Sequence, residues 1–445
     1  MPEESDHVIH AGRGAVARAA AIIALGNILS RLLGLARDSA IAHFFGAGGA
    51  VSAFGLALRV PQMAYDLLMG GMISAALVPV LSEYTPEERR EELWRIASRF
   101  FSLATVILAG AVLLLEIAAP WIVALMGGGF SPALQGQATA LLRLMSPALL
   151  FMGLTGAVTG LLYALRRFTF PAFATALFNA GIVAVVLLLH ARLDIASAAL
   201  GVLVGAALQL LLQLPGLRGA RLRPMLRFSH PAVGQILRLY LPVLFGVIIS
   251  MIGTGIDSRL ASGGWESTIA WMRNATTLIQ TAIGLIATAI SLAVLPSLSR
   301  AAAGRDEAGY RSTLGLGLRL ILTLVLPATA LLYALGRPIV ALLFEHGEFF
   351  PHDTTMVTWA LYLYLIGLPF AAVDQLLIFA FYARKDTLKP NLVGAYCIGI
   401  YLLFALPLVG QWQMFALVLA NSCLLYTSDA ADDLLCVDLG GRRII

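Results

Sequence analysis

Apolar runs of about twenty residues recur along this chain, and they constrain its fold more than any other feature. A helix needs about 20 apolar residues to cross ~30 Å of hydrocarbon. In lipid only helices and closed barrels satisfy every backbone N–H and C=O. The runs here are continuous, not alternating, so they predict helices. Twelve spans are expected, at 16–44, 51–81, 97–126, 138–164, 170–190, 194–215, 235–256, 268–297, 312–335, 355–383, 388–409 and 411–426. Composition agrees: 59% of the 445 residues are hydrophobic and 12% are charged, about half the charged share of a soluble domain. The first fourteen residues are polar and lack the apolar core of a cleavable signal.

The loop arginines orient the chain. With a cytoplasmic N-terminus, the inner loops hold Arg89, Arg90 and Arg95; Arg166 and Arg167; Arg218, Arg221, Arg223 and Arg227; Arg300, Arg305 and Arg311; and Arg384, Lys385 and Lys389. The outer loops hold Arg192, Arg259 and Arg337. That asymmetry follows the positive-inside rule. The net charge of +5 therefore reads as topology, and no basic run interleaved with aromatics suggests a nucleic-acid partner.

An internal repeat is legible. The second span ends in Val78-Pro79-Val80-Leu81-Ser82 and the eighth in Leu295-Pro296-Ser297-Leu298-Ser299. Tyr163-Ala164-Leu165-Arg166-Arg167 is answered by Tyr382-Ala383-Arg384-Lys385. The offsets are 296 − 79 = 217 and 382 − 163 = 219. Six spans separate equivalent points, so both halves share one orientation. The expected fold is an all-α polytopic membrane protein, two parallel six-helix bundles with a substrate site between them, a transporter plan. The expected divisions are a cytoplasmic tail (1–14), an N-terminal bundle (15–215), a basic cytoplasmic linker (216–234) suited to anionic headgroups, and a C-terminal bundle (235–424). Residues 425–445 do not read as native sequence, and the chain reads as truncated within its twelfth span.

Charges inside spans are costly and mark function. The first span carries Ser30-Arg31-Leu32-Leu33-Gly34-Leu35-Ala36-Arg37-Asp38. Arg31 and Asp38 share a helix face, with Arg37 roughly 100–120° away. Arg59 adds a cation in the second span. Guanidinium forks match phosphate oxygens, so these arginines suggest a phosphate or pyrophosphate ligand, against the plainer reading of an Arg–Asp pair that joins helices. Arg273 and Asn274 open the eighth span, with Gln280 deeper. Asp374, beside Gln375, is the expected ion or proton site, with Gln280 a second. Glu116 and Arg143 are expected to pair, and Asp257 and Arg259 to reach the outer interface. Cys397, Cys423 and Cys436 lack metal or redox spacing. His346 reads as a solvated loop residue. Neither a nucleotide loop nor a catalytic triad is evident, so a transporter is expected, with neither cofactor nor metal. Clustered acids or histidines at one membrane face, which an enzyme of polyprenyl phosphates would need, are not evident.

The first-span motif, with Asn27, Phe44-Phe45-Gly46-Ala47-Gly48, Leu77-Val78-Pro79-Val80-Leu81, the second proline motif, Leu343-Phe344-Glu345-His346-Gly347 and Phe381-Tyr382-Ala383-Arg384-Lys385-Asp386, resembles the bacterial lipid II flippases (the MurJ/MviN family) of the multidrug/oligosaccharidyl-lipid/polysaccharide exporter superfamily. The resemblance runs from about 17 to 424. It implies fourteen helices, the first twelve forming two bundles around a central cavity and the last two, absent here, a lipid-tail groove. It implies export of undecaprenyl-pyrophosphate-linked disaccharide-pentapeptide (lipid II) from the inner to the outer leaflet of the bacterial inner membrane by alternating access. Membrane potential or a monovalent cation would drive it, with membrane lipids and cell-wall synthesis proteins as partners. Arg31, Arg37 and Asp38 match the family's charged first-helix positions. Ser52 stands where the family often has an acid, Tyr65 and Asp66 where it has basic residues, and Thr277 and Gln280 where it has an Arg and a Glu. Arg59 and Arg273 are expected to supply the missing positive charge. The other readings are a flippase for another lipid-linked oligosaccharide, a cation-coupled drug exporter of the same fold, which should carry carboxylates toward its cargo, and a non-transporting membrane scaffold.

Overall fold

The computed structural model describes residues 3–69, 71–225, 230–384 and 388–422. Its elements are α1 (Glu3–Phe45), α2 (Gly49–Leu68), α3 (Val78–Ser82), α4 (Arg90–Met126), α5 (Pro132–Met145), α6 (Ala148–Ala164), α7 (Thr169–Leu193), α8 (Ala196–Gln213), α9 (Pro231–Ser262), α10 (Thr268–Leu285), α11 (Ala287–Ala303), α12 (Glu307–Phe344), α13 (Pro351–Ala383) and α14 (Leu388–Trp412). No strand occurs among the described residues.

Eight stretches among those residues are long and apolar enough to cross a membrane, and the bent pair α5–α6, angled 42°, makes a ninth. Of the other expected spans, the first lies in α1, the second is divided between α2 and α3, and the twelfth is helical over 414–422. Residues 423–445, with Cys423 and Cys436, lie outside the described residues, as do Arg227, Lys385 and Asp386. On α4, Leu113, Leu114, Ile117, Trp121 and Leu125 are all more than half exposed. Such a stripe would be untenable in water and is ordinary against lipid.

Several helices outrun the expected spans. α1 starts at Glu3 instead of 16, α9 ends at Ser262 instead of 256, and α12 ends at Phe344 instead of 335. Arg192, Arg259 and Arg337, expected in outer loops, therefore sit on helices α7, α9 and α12. Arg192 and Arg259 occupy last turns, where a cation complements the partial negative charge of the helix end. Helical hydrogen bonding thus continues past the apolar stretch that hydropathy detects.

The repeat extends into the backbone. The second span breaks after Leu68: Gly71 takes φ +72°, Ile73–Leu77 forms a π-helical turn, and α3 follows. The eighth breaks at Ile286, between α10 and α11. The offset, 286 − 69 = 217 from the first residue past α2, equals that of the proline motifs. Likewise α6 and α13 end at Ala164 and Ala383, a separation of 383 − 164 = 219.

By its internal contacts the chain forms two compact units. One gathers Met1–Ile41, Ala57–Trp121 and Gly136–Val247; the other gathers Ala42–Leu56, Ile122–Gln135 and Ile248–Ile445. Their boundaries fall within α1, α2, α4, α5 and α9. In the first unit, α7 and α8 pack on glycines. A Cβ on Gly205 would lie 2.5 Å from the Phe178 carbonyl oxygen, and one on Gly181 2.8 Å from the Gly205 Cα. Gly201 and Gly205 are four apart, the small-residue spacing that lets membrane helices approach closely. In the second unit, Leu298 of α11, Tyr310 of α12 and Ala380 of α13 share a core, and the Tyr310 hydroxyl donates to the Ala380 carbonyl at 2.8 Å.

Two of the glycine motifs meet in this second unit. Gly46 (φ +66°) and Gly347 (φ +61°) both adopt the left-handed region that glycine enters without strain. The Glu348 N–H donates to the His43 carbonyl at 3.0 Å. A Cβ on Gly46 would lie 2.5 Å from the Glu348 carbonyl oxygen, and one on Gly347 2.2 Å from that of His43. Each glycine makes room for the other segment's backbone.

Candidate functional site

The charged stretch of α1 is built against α7. A Cβ on Gly26 would overlap the Ala172 carbonyl, so the two backbones touch there. Gly26, Ser30 and Gly34 repeat every four residues, and Arg37 continues their face. Arg37 Nε donates to Asp38 Oδ1 at 3.0 Å, Nη2 lies 3.0 Å from the same oxygen, and Nη1 donates to Asn179 Oδ1 at 3.1 Å. Asn179 Nδ2 donates in turn to the Ser30 carbonyl at 3.2 Å. Gly34 leaves the space for that amide, 3.5 Å from where its Cβ would be. Asp38 is 1% exposed, while the Arg37 side chain keeps 20%. Nε, Nη1 and Nη2 are thus each engaged once, and a guanidinium has two further N–H donors to offer an anion.

Asn179 was not expected as a site residue. A lone amide in an apolar helix carries no pattern, although its burial, 5% exposed, demands partners. Arg31 is exposed, whereas Arg37 is the arginine that meets Asn179 of α7. Arg59 is half-buried on α2. Arg31, Arg37, Asp38 and Arg59 all belong to the first unit, and Arg273, Gln280 and Asp374 to the second.

Arg273 on α10 is half-buried, its guanidinium 5.4 Å from the centre of the Phe54 ring, a cation–π distance. Ser52, where an acid was the family expectation, is fully buried and its Oγ accepts the Ala270 N–H at 3.2 Å. It satisfies a donor of the first turn of α10 that the helix leaves open. Asp374 is half-buried on α13 and Gln280 is exposed. Asp257 does not simply reach outward: its Oδ1 accepts from the Tyr401 hydroxyl of α14 at 3.0 Å. Cys397 is buried and His346 exposed.

Glu116 and Arg143 do meet, but through the backbone. Arg143 Nε donates to the Glu116 carbonyl at 3.2 Å, and the Glu116 carboxylate takes the Ser146 hydroxyl. Pro120 lies inside α4 and has no N–H for the carbonyl four residues back. That carbonyl is Glu116's, and Arg143 fills the vacancy.

The basic linker is seated on α4. The Arg223 N–H donates to Ser98 Oγ and the Met225 N–H to Ser102 Oγ, both at 3.0 Å. His230 Nδ1 accepts the Ala232 N–H at 3.1 Å. Burial holds the His230 imidazole below its ordinary value of 6.5; Arg99 and Arg95 push the same way, and Glu92 opposes them. A lowered value means the folded state binds fewer protons than the unfolded one. The His230 contribution is therefore complete above about 6.5 and is lost as pH falls through the lowered value. Hydrogen exchange at Ala232 and the following amides, corrected for intrinsic rates, is expected to quicken selectively on acidification. His230→Gln should abolish that selectivity, and equal protection at neutral and acidic pH would refute it.

Comparison with known proteins follows the same lines. The family model described as Lipid II flippase MurJ matches residues 41–427. The chain is 30% identical over 420 residues to the lipid II flippase MurJ of Burkholderia cenocepacia, covering 89% of this chain and 80% of that protein. It is 31% identical over 387 residues to the probable lipid II flippase MurJ of Vibrio cholerae, covering 84% and 74%. Among solved structures it resembles a lipid II flippase MurJ in an inward closed conformation, with TM-score 0.82, 24% identity and coverage of 94% and 87%. It also resembles an inward-facing multidrug-resistance MATE transporter of the MOP superfamily, with TM-score 0.79, 14% identity and coverage of 96% and 100%.

Proposed function

This chain belongs to the lipid II flippase MurJ family, and from that premise we infer that it is a multi-pass transporter of the bacterial inner membrane whose cargo is lipid II. It is a transporter and not an enzyme. The observation that carries the cargo assignment is the Arg37 clamp. A guanidinium fixed by Asp38 and Asn179 offers its remaining N–H groups in a set direction, as a bidentate phosphate contact requires. Lipid II presents a pyrophosphate, and Arg31 and Arg59 in the same unit supply further positive charge for its second phosphate.

In this reading the N-terminus is cytoplasmic and the cargo travels from the inner to the outer leaflet by alternating access. The halves 15–215 and 235–424 act as the two moving bundles, with membrane potential or a monovalent cation as the drive and Asp374 and Gln280 as coupling residues. A cation-coupled drug exporter of the same fold is disfavoured, because the clamp engages the Asp38 carboxylate with Arg37 and leaves guanidinium N–H donors, not carboxylate oxygens, for a cargo.

Complementation tests the proposal. The gene is expressed in a bacterium depleted of its own lipid II flippase, and growth is scored at matched membrane abundance. Restored growth with normal cell shape is expected. Lysis at full abundance would redirect the assignment to another lipid-linked oligosaccharide.

A further inference from the structure

The two matching helix breaks satisfy their carbonyls differently. In the second span, α2 ends at Leu68 and Gly71 takes φ +72° before the π-helical turn at Ile73–Leu77. At the equivalent point of the second half, Ile286 keeps a right-handed φ of −104°. There the backbone ladder runs on: the Ile286 N–H donates to the Ala282 carbonyl and the Ile290 N–H to the Ile286 carbonyl, both at 3.1 Å.

An outside donor stands in for the ladder at the end of α2. The Tyr240 hydroxyl of α9 reaches the Leu67 carbonyl at 2.7 Å and the Asp66 carbonyl at 3.2 Å. These are among the carbonyls that a helix end leaves open, and a membrane span tolerates no bare ones. Tyr240 is 3% exposed. One turn further along α9, Val243 lies 2.8 Å from where a Cβ on Gly71 would stand, so a single turn of α9 covers both sides of the interruption. On α6, a Cβ on Gly156 would stand 3.2 Å from the Tyr65 hydroxyl and 3.3 Å from Ile73, and one on Gly160 2.4 Å from Leu77. Residues from before and after the break thus rest on a face of α6 that glycine keeps smooth.

The Leu67 carbonyl has a second donor in its own chain. In an unbroken helix the N–H of Gly71, four residues on, would take it, as the Ile286 N–H takes the Ala282 carbonyl in the other half. Glycine occupies left-handed and right-handed φ about equally readily. Either donor satisfies the carbonyl, so neither arrangement strands it.

We propose that Tyr240 is a latch: it holds the second span in an interrupted form, and its withdrawal lets the span pass to a continuous helix with the Gly71 N–H on the Leu67 carbonyl. Conformational switching needs such an element with two discrete arrangements. The latch residues belong to the first unit, and α9 continues from it into the second. A shift of α9 that withdrew Tyr240 would therefore be converted into a straightening of the second span. The proposal rests on the membrane-transporter reading and not on the cargo.

The test measures the separation of spin labels at Gln62 and Glu83, both exposed, in the full chain in lipid nanodiscs, with its three cysteines replaced by serine. A continuous span would place the labelled Cα atoms at most about 31 Å apart, the length of 83 − 62 = 21 helical residues. Tyr240→Phe keeps the ring and removes the latch, and should raise the ratio of continuous to interrupted form about fivefold. Gly71→Ala penalises the left-handed φ and should raise the same ratio about tenfold. One new separation, common to both variants, is the expected result. An unchanged distribution in Tyr240→Phe would overturn the latch. So would a broad spread that Gly71→Ala does not share, which is what the loss of a mere helix cap gives. Neither variant is read through lipid II, so failure here is distinct from failure to complement.

Discussion

Replacing Arg37 with alanine is expected to abolish complementation and to lower membrane abundance. The second effect comes from Asp38. At 1% exposure its carboxylate would lose the Arg37 guanidinium in place, and breaking a buried pair by removing one partner costs about 3–5 kcal/mol. Loss of abundance alone would leave a purely structural pair as an explanation, so the double variant Arg37→Ala/Asp38→Asn decides. Neutralising the acid should restore abundance and thermal stability, and growth should still fail, because the one guanidinium held in place by Asp38 and Asn179 is gone and Arg31 and Arg59 lack that Asn179 clamp. Growth of the double variant would remove Arg37 from the cargo site. Arg37→Lys keeps the charge but not the planar fork, and should fall between the two.

Gly347→Val is expected to be the most damaging single change outside the charged site. The left-handed backbone at φ +61° penalises any side chain, a branched one most of all. The new Cβ would stand 2.2 Å from the His43 carbonyl oxygen, where the obstacle is backbone and cannot swing aside. Together these should exceed about 3 kcal/mol. The measurement is recovery of monodisperse protein after detergent extraction and its Tm. Gly110→Ala in α4, where a Cβ meets nothing within 4 Å, should behave as wild type or better, since alanine favours helix by about 1 kcal/mol. Equal stability of the two variants would mean that the 43–48 and 343–349 segments do not depend on each other.

Much of this architecture was legible because membranes enforce a coarse grammar. Apolar length located the helices, and the proline motifs and basic turns placed the repeat, which the structure deepens to matching breaks at 69 and 286. What escaped was detail set by single atoms. Asn179 is one amide in an apolar helix, and nothing in its spacing points to Arg37. Asp257 was assigned outward because its partner, Tyr401, lies in a distant helix. Arg192, Arg259 and Arg337 were assigned to loops because hydropathy ends where hydrocarbon ends, whereas the helical ladder does not. Glu116 and Arg143 were paired correctly as residues and wrongly as groups, since matching charges ignores a carbonyl that a proline has left open.

That last contact reaches further than its own geometry. Pro120 stands beside the Trp121/Ile122 limit between the two compact units, where α4 passes from one to the other. Its missing N–H makes the helix easier to flex at that point, and Arg143 keeps the freed carbonyl from facing lipid bare. The two residues answer each other: the proline leaves an acceptor open, and the arginine supplies a donor to it. Inheritance should therefore treat the two positions as a single locus, gained together and lost together as lineages diverge.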